Sequence, residues 1–226
     1  MISQVDDALR GIVRDDAVDP DIDVVFDAPT KDWAARRNAP TVNLYLYDIR
    51  EDMKGRAAGF VENIEPETGE VISRAPAPRF FKLSYLVTAW TQRPEDEHRL
   101  LDVLLRAFLK YDALPDHLVV GPLAEPHEPV KVTVGLPPPE DRAFADVWSA
   151  LGGELKPSLD LVVVAPVWTG RVYPAGPPVQ EGIVVEANDL VHGGSERHQR
   201  HVPPPAATEA PAPVAVGRPR ARRRSG

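Results

Sequence analysis

The sequence predicts an α/β (α+β) fold, a mixed and mainly antiparallel sheet flanked by helices, with an extended C-terminal arm. Three observations predict it. Residues 80–111 run strand, breaker, helix: Phe81, Leu83, Tyr85, Val87 and Ala89 share one face of an extended segment, and Leu101, Leu104, Leu105 and Phe108 follow at i, i+3, i+4 and i+7. TVNLYLYDIRE (41–51) and SLDLVVVAPVW (158–168) are two more apolar strand segments, and the first reads as covered on both faces. Between such segments lie helical patterns, beginning with Val5, Leu9, Ile12 and Val13 near the N-terminus.

Taken in order, Ser3 is placed to cap the first helix, with Asp6 three residues on as a variant of the capping box. Asp19, Asp21 and Asp23 alternate like calcium ligands, but an EF-hand loop needs Gly and Glu where Val24 and Thr30 stand, and Pro20 interrupts the run. They read as a solvated connection into a short strand at Ile22–Phe26, followed by a loop through Trp33, Arg36 and Arg37. Asp48 and Arg50, ending the 41–51 strand, read as a local ion pair. Around the turn PETGE, Phe60–Ile64 and Glu70–Ser73 pair as an exposed hairpin, either a variable surface loop or a contact arm in an assembly.

Pro94 suits the first turn of the central helix, where Glu95, Asp96 and Glu97 meet the positive end of the dipole. Glu95–Arg99 and Asp102–Arg106 are spaced as i,i+4 pairs. His98 beside Glu95 and Glu97 resembles an acid–base group, yet an exposed first turn makes it a surface residue. Leu118–Val120 and Val130–Leu136 are short strand candidates, and Arg142–Leu151 a helix ended by Gly152 and Gly153.

The domain reading is a folded body over 1–168, a linker and C-terminal β arm over 169–192, and a Pro- and Arg-rich tail over 193–226. The segment QEGIVVEAND has no strand partner nearby in sequence. The tail has almost no large apolar side chains and is expected to be disordered. Charge follows the same division. Seven arginines against Glu196 and Glu209 give the tail a net +5, which leaves −13 on residues 1–192 within a total of −8. A nucleic-acid reader more often carries its positive charge on the folded body.

No apolar run approaches the roughly 20 residues of a membrane span. The absence of cysteine removes disulfides, thiolate metal sites and cysteine nucleophiles, and with the acidic N-terminus it suits a cytoplasmic site of synthesis. The phosphate-binding GxxxxGK[ST], GxGxxG, HExxH and GxSxG patterns are all missing. His192, His198 and His201 lack the fixed surroundings a metal site requires. The residues favour a structural or interaction protein, with no metal and no catalytic set singled out.

Three ordered blocks then carry a resemblance: NLYLYDIRED (43–52), LSYLVTAWTQRPEDEHRLLDVLLRAF (83–108) and VWSALGGELKPSLDLVVVAPV (147–167). Over about residues 1–168 the chain resembles the cap proteins of extracellular contractile injection systems, phage-tail-like devices of the antifeeding-prophage and virulence-cassette type. The resemblance implies a tail-terminator-like domain in a hexameric ring, partnered by inner-tube protein and sheath protein. It implies no enzyme activity, no cofactor and no small-molecule substrate. The family's exchanged terminal strands suggest a use for Ile183, Val184 and Val185: addition as a strand to a sheath subunit's edge. An alternative is a tail-completion adaptor whose RPRARRRSG end contacts nucleic acid or an anionic membrane. A hydrolase stands third and requires a pocket with convergent polar groups.

Overall fold

The computed structural model describes residues 1–56, 58–124, 128–136, 144–176, 183–188 and 195–200, with the side chains of 144, 183–188 and 195–200 excepted. Residues Met1–Ala175 form one compact unit, and those from Gly176 on form a second.

Helix α1 (Ile2–Asp16) starts earlier than the capping pattern suggests. Met1 is the N-cap, its carbonyl accepts the Val5 amide at 3.1 Å, and Ser3 lies inside the first turn without capping anything. The stripe Val5, Leu9, Ile12, Val13 is fully buried. Strand β1 (Asp23–Val25) follows, then β2 (Thr41–Glu51), β5 (Arg79–Trp90), β6 (Lys131–Val134) and β7 (Leu159–Val167), which make a five-stranded sheet ordered β1-β2-β5-β7-β6. Only β1–β2 is parallel. The sheet is therefore mixed and mainly antiparallel, as the alternation predicts.

One face of this sheet carries Val42, Leu44, Leu83, Tyr85, Val87, Leu161, Val163 and Ala165. They join α1 and helix α3 (Pro94–Phe108), through Leu104 and Phe108, in one apolar core. Pro94 and three acids occupy the first turn of α3, where a missing amide costs nothing and negative charge meets the dipole. On its exposed side Arg106 pairs with Asp102 at the i,i+4 spacing, but Arg99 pairs with Asp96 at i,i+3 rather than with Glu95.

The opposite face is buried too, and it is more polar: Thr41, Asn43, Ser84, Thr88 and Asp160 lie there with Leu86. Hydrogen bonds make that burial tolerable. Asn43 Nδ2 donates to the Asp27 carbonyl at 2.9 Å, and the Tyr47 hydroxyl to Asp160 Oδ1 at 2.9 Å. Its cover is aromatic. Trp33, on the short helix α2 (Lys31–Ala35), meets Trp90 at 5.2 Å, and Trp90 meets Trp148 of α4 (Phe144–Ala150) at 6.5 Å between ring centroids. Helix α2, read as loop from the sequence, starts where the Thr30 hydroxyl accepts the Trp33 amide.

Leu118–Val120 is not a strand. A 3-10 turn takes Asp116–Leu118, closed by the Leu118 amide on the Pro115 carbonyl at 2.9 Å. Gly152, just past α4, has φ +67°, and a Cβ placed on it would meet no atom within 4 Å, so only backbone strain opposes a side chain there. Gly152→Ala is expected to lower stability by about 1 kcal/mol in a urea titration.

A second, three-stranded sheet is ordered β3-β4-β8: β3 (Phe60–Ile64), β4 (Val71–Pro76) and β8 (Tyr173–Pro174). Strand β8 arises within the stretch expected to be a plain linker. It also extends the first compact unit beyond Trp168, to Ala175.

In the second unit, the view of QEGIVVEAND as unpartnered is overturned. Strand β9 (Ile183–Asn188) pairs antiparallel with β10 (Ser195–Arg200), in the register Ile183↔Arg200, Val184↔Gln199, Val185↔His198. A ladder is built from backbone amides and carbonyls, so the polar SERHQR can supply one although its composition suggested disorder. Residues 201–226, with His201 and the RPRARRRSG end, lie outside the described residues, as does His192. Among the described residues, no helix is long and apolar enough to cross a membrane.

Candidate functional site

Two surfaces stand apart from the core, and they sit at opposite ends of the main sheet. The first is the three-stranded arm. It leaves the sheet after Glu51 and re-enters it at Arg79, so both its roots are at one end of the β2–β5 pair. Phe60, 59% exposed, meets Tyr173, 46% exposed, edge to face at 5.7 Å. Register places Ile72 on the same face and Val61 on the other, all exposed. Exposed apolar side chains gathered on one element mark an interaction surface better than single ones do. Its tip, Glu65–Glu70, is a turn closed by the Gly69 amide on the Glu65 carbonyl at 2.8 Å, with Gly69 at φ +71°.

The root of the arm is clamped by charge. Arg79 forks onto Glu51, and that bidentate hydrogen bonding holds the Glu51 carboxyl below its ordinary range. Lys82 reaches Asp52 at 3.2 Å, and Arg50 Nε lies 3.1 Å from Asp48 Oδ2, the local ion pair read from the sequence.

The second surface is a cavity of about 510 Å³ at the other end of the sheet, where β2 begins, β5 ends and α3 starts. Its walls include Trp90, Pro40 and Leu100, and its rim carries Arg37, Arg93 and Arg99 against the single carboxylate Asp96. Arg37 stacks on Trp33 at 4.6 Å and pairs with Asp27 at 2.8 Å. Lys156 Nζ sits 4.1 Å from the centroid of Trp90 and 2.6 Å from Glu97, fixing the indole from its other side. Glu97 is thus committed to Lys156, and His98 is exposed on the helix.

The remaining perturbed carboxylates lie on α1, away from both surfaces, with opposite shifts. Hydrogen bonds from Lys110 and Tyr111 pull Asp16 below its ordinary value. Burial pushes Asp6 up, although the Tyr85 hydroxyl donates to it at 2.7 Å, and the same burial raises Tyr85. Their linkage signs therefore differ. The Asp16 contribution is present above the unfolded value near 3.8 and is lost as pH falls through the lower folded pKa. The Asp6 contribution is present below that value and is lost as pH rises through the higher folded pKa. Lys110→Met with Tyr111→Phe is expected to flatten the acid limb of a stability–pH profile. Asp6→Asn should gain on the parent as pH rises above about 4. Chemical denaturation across that range checks both.

Among the described residues, no group of three His, Asp or Glu side chains is placed to hold a metal ion. Of the predicted contact residues, Ile183, Val184 and Val185 fall on β9, in the second compact unit. Sequence reasoning found the hairpin. It missed the cavity, whose lining comes from residues far apart in the chain; the signals available were the tryptophans and the arginine pairs at 36–37 and 93–99.

Two of the solved structures similar to this chain are terminators. One is an extracellular contractile injection system's "PVC sheath/tube terminator in extended state", with TM-score 0.62 and 23% identity, covering 84% of this chain. Another is the "anti-feeding prophage cap (AFP tube terminating cap)", with TM-score 0.54 and 20% identity, covering 78%. The chain spans 65% of the length of the first and 58% of the second. No curated protein matches it. The resemblance carried by the blocks at 43–52, 83–108 and 147–167 is borne out. With the profile of the Pvc16 N-terminal domain matching residues 4–181, most of its length, the chain belongs to that family.

Proposed function

We propose that the chain is the terminator cap of a contractile injection system. It forms a ring, hexameric by the family resemblance, that ends the inner tube and sheath and fixes the length of the particle. The observation that supports this most is the shared fold with two terminators over more than three quarters of the chain. An exposed arm and a remote cavity suit a protomer that meets neighbours through unlike surfaces, as a closed ring requires. The role is structural, within a phage-tail-like particle, and uses no substrate or cofactor.

The experiment is particle imaging with and without the chain. Particles assembled without it should show tubes of broadly scattered length or frayed ends. Uniform, intact tubes in its absence would overturn the reading.

Sheath attachment through Ile183, Val184 and Val185 is retained as part of this proposal, in altered form. Because β9 already has β10 on one side, the sheath strand would join the ribbon's remaining edge. Truncation after Ala175 keeps β8 paired with β4 and should leave the body folded while sheath attachment is lost. Normal sheath retention by the truncated cap would sink the strand-addition idea.

A further inference from the structure

The arm tip and the cavity have opposite charge and lie at opposite ends of one sheet. Glu65, Glu67 and Glu70 surround the turn, and none of their carboxylates has a cationic partner among the described residues. At the cavity the rim holds Arg37, Arg93 and Arg99 against Asp96, and the Arg93 guanidinium has no carboxylate partner among the described residues. Asp96 is already neutralised by Arg99 at 3.0 Å. Arg37 is likewise paired with Asp27 at 2.8 Å, with Asp23 at 3.9 Å, so the uncompensated positive charge at the cavity is that of Arg93, beside the apolar walls of Trp90, Pro40 and Leu100.

Distance rules out a contact within one chain. The cavity adjoins Pro40 and Trp90, and the arm starts at Glu51 and Arg79, so the whole of β2 separates them. Its 11 residues span about 35 Å at about 3.3 Å per residue. The arm, nine residues from Arg79 back to Glu70, reaches about 30 Å at most and runs away from the cavity, beyond the opposite end of β2. A tip that cannot reach its own cavity can reach that of an adjacent copy. Such a contact joins unlike surfaces, and repeating it gives a closed ring or an open filament, not a two-fold dimer.

We propose that the acidic tip Glu65–Glu70 of one copy docks at the arginine-rimmed cavity of the next copy, and that this head-to-tail contact joins the protomers. It rests on the ring reading above for its closure. The glutamates meet Arg93, Arg99 and Arg37 at the rim, while Pro66 and the exposed Phe60–Tyr173 face lie against the next copy's surface and shed water there.

The test is charge reversal on the full chain, read by native mass spectrometry and sedimentation velocity at low and high salt. Glu67→Arg with Glu70→Arg, or Arg93→Glu with Arg99→Glu, should each weaken self-association about tenfold or more, while circular dichroism and thermal melting stay those of the parent. Asp116→Arg, an equal kind of charge change at an exposed site elsewhere, should leave assembly intact. Mixing the two reversed chains, or combining all four changes in one chain, should restore assembly. The substituted positions then face opposite charge at every contact.

If the parent chain stays monomeric at every concentration, the ring reading falls and this contact with it. If the parent assembles and both reversed chains assemble equally well, only the contact is overturned. Rings that persist in the tip-reversed chain while tube or sheath attachment is lost would also overturn it, by assigning the arm to a different partner.

Discussion

Replacing Phe108 with alanine is expected to lower the free energy of unfolding by about 3–5 kcal/mol. The ring is fully buried in the last turn of α3, in the same core as Leu9 and Ile12 of α1 and Leu83 and Leu161 of the sheet. Removing it deletes apolar area and leaves a hole bounded by two helices and a sheet, which cannot close without shifting all three. Equilibrium urea unfolding followed by tryptophan fluorescence measures the loss as a lower midpoint with a similar slope. The effect should extend to the cavity, because the other end of α3 supplies Asp96, Arg99 and Leu100 to it. A loss below about 1 kcal/mol would mean that α3 is not anchored by this residue.

Trp148→Ala is expected to cost a similar amount, about 3–5 kcal/mol, whereas Trp148→Phe should cost no more than about 1.5 kcal/mol. The contrast comes from one atom. Trp148 is 2% exposed and tilts against Trp90, so its ring fills the polar face of the sheet, but its buried Nε1–H has no acceptor among the described residues. Alanine removes the packing. Phenylalanine keeps most of it and also removes a donor whose desolvation is uncompensated. The same pair of variants reports on Trp90, which is held between Trp33, Trp148 and Lys156 and forms a wall of the cavity. If phenylalanine proves as damaging as alanine, the indole nitrogen has a partner in solution.

The periodic segments were legible because their burial follows a local rule. Leu83, Tyr85 and Val87 face α1 and α3 as alternation requires, and Leu101, Leu104 and Phe108 are buried on α3 as a 3.6-residue period requires. The boundaries β2 41–51 and β3 60–64 agree with the sequence reading to the residue, since polar turns flank each run. Reading failed where short-range geometry outweighs composition. Met1 rather than Ser3 caps α1, because the Val5 amide bonds the Met1 carbonyl and so places Ser3 inside the first turn. Asp116–Leu118 curls into a 3-10 turn although Leu118–Val120 is apolar enough for a strand. Strand β10 forms from a polar segment because a ladder asks only for backbone groups.

By itself, then, the sequence determined the class of fold, the central strand–helix unit, the exposed hairpin and the family, all of which rest on patterns within short consecutive stretches. Tertiary structure alone decided the rest. The polar face of β5 is roofed by three tryptophans drawn from residues 33, 90 and 148, and Arg37 comes beside Arg93 and Arg99 only because β2 and β5 pair antiparallel with Thr41 opposite Trp90. That same pairing sends the acidic arm to one end of the sheet and the arginine-rimmed cavity to the other. The distance between two such surfaces is a property of strand register, and no local pattern in a chain encodes it.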